Sequence, residues 1–154
     1  MSTFREKYAK TEYIFSEDSR STVVLKDKGQ PRKFVGKNPK GKLLLTVYWV
    51  DGKLIASDVR SGKCDFAIYT DTASLYLIEL KGADYVHALE QIYDTIVRLI
   101  TPDVNIKVIH ARVVLSKVQT PALRSSVETK LTKLLKKYEG DLQKASVQMQ
   151  ETLA

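Results

Sequence analysis

Three charged residues in the middle of the chain have the types and spacing for metal-dependent chemistry. Asp65 stands in one apolar run, 64–70, and Glu79 and Lys81 stand in the next, 74–81. Charges inside strand-like apolar runs are costly to bury, so their presence needs a reason. Two neighbouring carboxylates repel each other unless something positive lies between them, and Mg²⁺ prefers oxygen ligands. The pattern indicates phosphodiester hydrolysis, in which the metal polarises a phosphate and Lys81 orients or deprotonates the attacking water.

The two apolar runs must pair in a definite register for these side chains to meet. Side chains alternate between the faces of a strand, so Glu79 and Lys81 share a face. Asp65 faces one or the other only if the connecting loop has an odd number of residues, such as Asp71–Ala73 or Thr72–Ser74. An even loop places it on the wrong face unless a bulge restores the register. We therefore predict a three-residue loop or a bulge.

The remaining elements predict an α/β fold with a central mixed sheet flanked by helices. An Asp51-Gly52 pair predicts a two-residue hairpin turn between strands 43–50 and 54–59. We expect residues 1–139 to form one domain, and 140–154 to be a C-terminal tail or short helix. The other expected elements are a helix at 3–9, strands at 21–25, 33–36 and 105–116, a helix at 85–100, and a last helix that begins at Pro121 and ends at Gly140.

Composition limits the classes of function. The chain of 154 residues carries a formal charge of +7, which suits a polyanionic partner such as nucleic acid. Its single cysteine, Cys64, cannot form an internal disulfide, which favours a reducing compartment. No apolar run has the ~18 residues that span a bilayer, and the first ten residues have no apolar segment typical of a secretory signal. We expect a cytoplasmic protein without membrane contact.

The segments Lys63-Cys64-Asp65-Phe66-Ala67 and Ile78-Glu79-Leu80-Lys81-Gly82 resemble the PD-(D/E)xK nuclease superfamily. The group includes restriction endonucleases, Holliday-junction resolvases and helicase-associated exonucleases, and the resemblance covers about residues 43–115. It implies a restriction-endonuclease-like core that cleaves DNA with Mg²⁺ or Mn²⁺. Asp65 and Glu79 would be metal ligands, with the main-chain carbonyl of Leu80 as a further one, and Lys81 would be the catalytic lysine. Cys64 stands where the family name has Pro.

Two further site residues follow from the same resemblance. Many of these nucleases carry another acidic residue near the first helix, where Glu6, Glu12 and Glu17 are candidates, and we take Glu12 as the metal ligand. One exonuclease branch has a Gln and, four residues later, a Tyr on the helix after the motif. Here Gln91 stands at a suitable distance as a catalytic candidate, but residue 95 is Thr. A helical wheel also places Gln91 on a polar stripe, so a solvated helix face remains the alternative.

Nucleic-acid contact is expected from basic residues near the loop 36–42. They are Arg32, Lys33, Lys37, Lys40, Lys42 and Lys63, and a merely solvated surface is the alternative. Tyr48 and Trp49 lie in a strand, where we expect core or interface positions before base-stacking platforms. The small size and the apolar strand 43–50 suggest a homodimer.

Three other interpretations remain open. The charged trio could be a cross-strand ion pair with a purely structural role. The chain could be a catalytically inactive nuclease-fold subunit for nucleic-acid binding or assembly. It could also be an inhibitor or immunity module that binds an acidic protein.

Overall fold

The computed structural model describes residues 1–57, 62–80, 84–116 and 125–154. Within these ranges the chain forms a mixed α/β fold built on a central mixed sheet. The α-helices are α1 (Phe4–Lys7), α2 (Tyr85–Leu99) and α3 (Ser126–Lys137). The strands are β1 (Ser2–Thr3), β2 (Ile14–Asp18), β3 (Thr22–Lys26), β4 (Lys33–Lys37), β5 (Leu45–Trp49), β6 (Phe66–Thr70), β7 (Ser74–Leu80), β8 (Val104–Asn105), β9 (Val108–Leu115), β10 (Leu142–Ser146) and β11 (Gln148–Thr152).

The central sheet has six strands in the order β10-β9-β7-β6-β5-β2. Strands β5, β6 and β7 form an antiparallel meander, whereas β7, β9 and β10 run parallel. Parallel neighbours need a crossover connection, and α2 and α3 lie in the two crossovers. Both helices pack on one face of the sheet, where Leu89, Ile92 and Ile96 of α2 and Leu131 and Leu135 of α3 are buried in one apolar cluster.

A second, three-stranded sheet covers the opposite face. Its order is β11-β4-β3, and its inward side chains pack against even-numbered residues of β6 and β7. The apolar side chains that it contributes are Val23, Leu25, Phe34 and Met149, and Leu153, directly after β11, joins them. The expectation of helices on the faces of the sheet therefore holds for one face only. The reason is that β3, β4 and β11 are each five residues long, too short for their alternation to identify a covering sheet in advance.

The hairpin between β6 and β7 has the predicted odd loop. Phe66 pairs with Ile78 and Tyr69 pairs with Leu75, which leaves Asp71–Ala73 as a three-residue loop. Ala73 has φ 63°, the left-handed conformation that such hairpin loops need at their last position. The prediction of a three-residue loop is confirmed.

The Asp51-Gly52 turn does not lead into a strand in the described residues 54–57. The only bridge there joins Asp51 to Ile55, and residues 58–59 lie outside the described ranges. Both edges of β5 are already occupied, by β2 on one side and β6 on the other, so a returning strand has no edge to pair with. The predicted hairpin is wrong for this physical reason.

The residues after Gly140 are strands rather than a tail or short helix. β10 extends the central sheet beside β9, and β11 joins the second sheet beside β4. Arg112 of β9 is 2% exposed and ties the two strands together. Its Nε bonds Glu151 Oε1 at 2.6 Å, and its Nη2 lies 2.9 Å from Asp141 Oδ1. The apparent helical spacing of Leu and Met in this segment is overridden by pairing along the whole strand.

The two long helices begin with polar caps. The Asp84 side chain accepts a hydrogen bond from the His87 N–H at the start of α2. Ser125 caps α3 in the same way, and the predicted first residue, Pro121, lies outside the described residues. In the part of the chain that the structure describes, no helix combines the length and apolarity needed to cross a membrane.

Candidate functional site

Asp65 and Glu79 lie together where β6 begins and β7 ends. The regular β6–β7 pairing stops at Phe66 and Ile78, because the Asp65 N–H also donates to the Ile78 carbonyl, at 3.1 Å. The Asp65 side chain nevertheless forms a hydrogen bond with the Glu79 side chain. Ala67 and Leu77, the next odd-numbered residues, are buried in the cluster below the helices. Because side chains alternate along a strand, Glu79 points to the helix-bearing face, and the Asp65 carboxyl group contacts it there.

The two carboxyl groups contact each other in a largely buried setting. Glu79 is 2% exposed, and Asp65 Oδ2 accepts a hydrogen bond from the Leu80 N–H at 2.8 Å. Burial raises the pKa of Asp65, and the charges of Asp27 and Asp51 raise it further. Hydrogen bonds with the Glu79 side chain and the Leu80 N–H act against burial, yet the pKa stays above its ordinary value. A hydrogen bond between two carboxyl groups requires one proton, which a cation would replace.

Gln91 joins this pair from the second turn of α2. Its Nε2 donates to Glu79 Oε2 at 3.1 Å, while its Oε1 accepts a hydrogen bond from the Lys63 N–H at 3.0 Å. The half-buried amide thus fixes one oxygen of Glu79 and holds the backbone two residues before Asp65. Gln91 is therefore not a solvated residue of the helix surface.

Thr95 extends the hydrogen bonds that Gln91 makes, although no pattern in the sequence identified it as a site residue. Its hydroxyl donates to the Gln91 carbonyl at 2.7 Å and accepts a hydrogen bond from the Cys64 N–H at 3.0 Å. The approach to α2 is so close that a Cβ on Gly62 would lie 2.0 Å from Asp94 Cβ. The sequence signal of this contact is a glycine two residues before Cys64, together with Gln91 and Thr95 spaced one helical turn apart.

Cys64 lies beside the carboxyl pair as a neutral thiol. It is fully buried, and its pKa is raised by burial first and then by the charges of Glu79 and Asp65. The thiolate is the reactive form of cysteine, so a raised pKa keeps this side chain unreactive. Cys64 is buried next to the carboxyl pair, and as a buried thiol it does not serve as a nucleophile.

The structure describes the predicted third acid, Glu12, but not the predicted lysine, Lys81. Lys81 lies outside the described residues. Glu12 is exposed in the short 3₁₀ turn Thr11–Tyr13 before β2, which is separated from β6 by β5. Neighbouring strands lie ~4.8 Å apart, so β2 and β6 are roughly 10 Å apart. The described residues contain no group of three or more His, Cys, Asp or Glu side chains that could hold a metal ion.

The other acids of this region have local partners. Glu6 forms a capping box with Thr3 at the start of α1. Glu17 accepts hydrogen bonds from Arg5 Nη2 at 2.9 Å and from Thr46 Oγ1 at 2.7 Å. Their positions are explained by these contacts, and they leave Asp65 and Glu79 as the carboxylates of the site.

The six predicted nucleic-acid-binding residues separate into two groups. Lys33 lies at the same end of the fold as the carboxyl pair, since its N–H bonds the Val147 carbonyl and the Val147 N–H bonds the carbonyl of Leu115, the last residue of β9. Arg32 precedes it, and Lys63 precedes Asp65 by two residues. Lys37, Lys40 and Lys42 lie at the other end of β4 or beyond it. Only the first group lies at the end of the fold that carries the carboxyl pair.

The apolar strand that suggested a homodimer is explained by the protein's own core. Leu45, Val47 and Tyr48 of β5 are each at most 1% exposed. Trp49, at the end of that strand, is 36% exposed, so of the two expected positions, core or interface, it does not occupy the core. Dimerisation stays a prediction that no contact in the structure tests.

The fold and the site thus bring Asp65, Glu79 and Gln91 together and leave Glu12 apart. No protein-family model, curated protein or solved structure matches the chain.

Proposed function

We propose that the chain is a metal-dependent nuclease with a restriction-endonuclease-like core that hydrolyses the phosphodiester bonds of DNA. The observation that carries the proposal is the contact between the Asp65 and Glu79 carboxyl groups beside Gln91. The order of β5, β6, β7, α2 and β9 follows the strand–strand–strand–helix–strand order of the superfamily that the motif resembles.

The donor set fits Mg²⁺ or Mn²⁺. Carboxylate and carbonyl oxygens are the ligands that such ions prefer, and Mg²⁺ usually keeps several waters beside one or two carboxylates. Asp65, Glu79 and the Leu80 carbonyl would hold the ion. A bound ion would polarise the scissile phosphate and lower the pKa of a water.

Each neighbouring residue has a separate role in this proposal. Gln91 holds one oxygen of Glu79 and so orients its other oxygen, as hydrogen-bonded outer partners do at metal sites. The Leu80 N–H does the same for Asp65. Lys81, the residue after Leu80, is the proposed group that positions the attacking water and offsets negative charge in the transition state. Lys33 and Lys63 would contact phosphates of the bound strand.

A cleavage assay tests this proposal. Labelled single-stranded, double-stranded and branched DNA, and RNA, are incubated with Mg²⁺, Mn²⁺ or EDTA. Metal-dependent cutting is expected from the wild type and should fall by at least about 100-fold in Asp65→Asn, Glu79→Gln and Lys81→Ala. Glu90→Gln is the matched control, because Glu90 is an exposed acid next to Gln91 on α2 and should retain full activity.

A second candidate is a nucleic-acid-binding subunit that does not cut. The observation in its favour is that Asp65 Oδ2 is already bonded to the Leu80 N–H, and that among the described residues no third acid joins the pair in a group that could hold a metal ion. Salt-sensitive binding of DNA by wild type, without cleavage of any substrate in either metal, would establish this function and exclude the nuclease.

A further inference from the structure

An exposed pair of aromatic rings lies at the same end of the sheet as the carboxyl pair. Phe15 is 43% exposed and Trp49 is 36% exposed. Their ring centroids are 5.2 Å apart with an interplanar angle of 77°, and the half-buried ring of Phe66 lies 6.2 Å from Phe15. Among the large apolar side chains that the described residues expose, these are the aromatic ones. They form a surface that can accept a further flat ring.

A β-bulge turns Phe15 onto this surface. Ile14 pairs with Tyr48 and Ser16 pairs with Val47, so Phe15 is the extra residue of β2. Ile14 packs into the core below the helices, whereas Phe15 contacts Trp49 on the other face. Bulges next to functional sites commonly re-aim a side chain in this way. The local irregularity of β2 therefore has a definite effect, which is to expose one more ring beside Trp49.

The aromatic pair is adjacent to Asp65 along the sheet. Trp49 pairs with Phe66, and the Val50 N–H donates to the Asp65 carbonyl at 3.0 Å. The rings and the Asp65 carboxyl lie on opposite faces, but both are at the strand ends. A chain that crosses this end of the sheet can contact both.

Basic side chains at this end can hold a polyanion, since the acids Asp27 and Asp51 are already paired with Arg32 and Lys63. Lys26 and Lys33 are directly paired where β3 and β4 meet the connecting turn. The chain as a whole carries +7. Bases stack on aromatic side chains when they are unpaired, while basic side chains hold the backbone. Bases in a duplex already stack on each other and do not offer a free face.

We propose that Phe15 and Trp49 form a stacking site for an unpaired nucleobase, so that a single-stranded segment of DNA is the substrate class of the neighbouring site. The assignment of a substrate rests on the proposed nuclease function, whereas the binding of the base does not. The stacked base would position the adjoining backbone across the end of β6.

The sole tryptophan of the chain makes this binding directly measurable. Trp49 fluorescence is followed in EDTA, where no metal-dependent cleavage occurs, during titration with a single-stranded oligodeoxynucleotide of about 12 residues. Quenching is expected. An oligomer with the same number of phosphates but abasic sugars should bind more weakly and quench little, and a duplex of the same sequence should behave like the abasic strand.

Substitutions at two equally exposed positions distinguish the loss of a stacking ring from a general loss of apolar surface. Phe15→Ala should weaken single-strand binding by about fivefold or more, and Phe15→Leu should not restore it because stacking needs a ring. Leu44→Ala is the control, because Leu44 is also 43% exposed but lies before the opposite end of β5. It should bind like the wild type.

The outcomes distinguish this proposal from the nuclease proposal. Single-strand-specific quenching without any cleavage keeps the stacking site and rejects the nuclease. Metal-dependent cleavage with equal quenching by base-containing and abasic strands rejects the stacking site. A shift in Trp49 emission on raising the protein concentration without DNA, lost in Phe15→Ala, would identify a contact between two copies of the chain and also overturn it.

Discussion

Two clusters of buried charge lie on opposite faces of the central sheet, and they are built on opposite principles. On the side of the second sheet, Arg112 is surrounded by Glu151 and Asp141. On the side of the helices, Asp65 and Glu79 place like charges together. The first cluster combines opposite charges within the chain, as buried charges usually do. The second brings together two groups whose repulsion a bound cation would relieve.

The pKa directions of the two clusters differ accordingly. Burial raises the pKa of Asp141, but hydrogen bonds from Gln143, His110 and Arg112 and the arginine's charge outweigh it and bring the value to about 2. The pKa of Asp65 is raised by burial. Ionised Asp141 therefore stabilises the fold, whereas ionised Asp65 weakens it. A site that reduces stability in this way is a candidate for function rather than structure.

The largest effect is expected from breaking the Arg112 cluster. Arg112→Met should lower the free energy of unfolding by about 3–5 kcal/mol, because it leaves Glu151 and the Asp141 carbonyl without their buried partner. Urea unfolding followed by Trp49 fluorescence measures this. Arg112→Lys keeps the charge but loses the paired hydrogen bonds to Glu151. Its free energy of unfolding should therefore lie between those of the wild type and Arg112→Met. A loss below about 1 kcal/mol would show that this cluster is not a structural element.

Added Mg²⁺ should stabilise only the helix-side cluster. At 100 times its dissociation constant, a ligand that binds the folded state alone adds ~2.7 kcal/mol to the free energy of unfolding. The wild type should show a rise on this scale that EDTA reverses, and Asp65→Asn should show none. An equal rise in both proteins would place the metal elsewhere.

In metal-free buffer, Asp65→Asn should make the protein more stable at pH 7. The amide keeps an acceptor for the Leu80 N–H and removes a buried charge, so a gain of roughly 1 kcal/mol is expected, the scale of a typical substitution. Because the folded-state pKa of Asp65 is raised, the gain should shrink as the pH falls through the folded-state pKa and should vanish below about 4, the unfolded-state value, where the carboxyl becomes neutral in both states. A loss of stability at pH 7 would mean that Asp65 is a structural ion.

The smallest effect, and the opposite sign, is expected from Asp141→Asn. Its carboxylate is 52% exposed, so the loss at pH 7 should be below about 1 kcal/mol. A lowered pKa means that this stabilisation is full above the unfolded-state value and fades as the pH falls towards about 2. Unfolding curves at several pH values between about 2 and 7 test both aspartates together. If both variants gained stability at pH 7, or both lost it, the two aspartates would not act on stability in opposite directions, and the distinction between the clusters would fail.

Local chemistry in the sequence determined the part of the site that lies on one hairpin. The alternation of side chains and the three residues Asp71–Ala73 were enough to predict an odd loop, and from it that the side chains of Asp65 and Glu79 meet. These features depend on residues near one another in the chain. The mixed α/β class and the helix after β7 followed from equally local patterns.

Only the tertiary structure decided how distant segments meet. Gln91 lies on a polar stripe, and whether that stripe faces water or Glu79 depends on how α2 packs over the sheet. β10 and β11 look helical in isolation, and pairing with β9 and β4 makes them strands. The number of residues between Glu12 and the motif does not show how far apart they lie in the fold. In the structure, β5 separates β2 from β6. In each case the deciding energy comes from partners far away in sequence, which a local pattern does not contain.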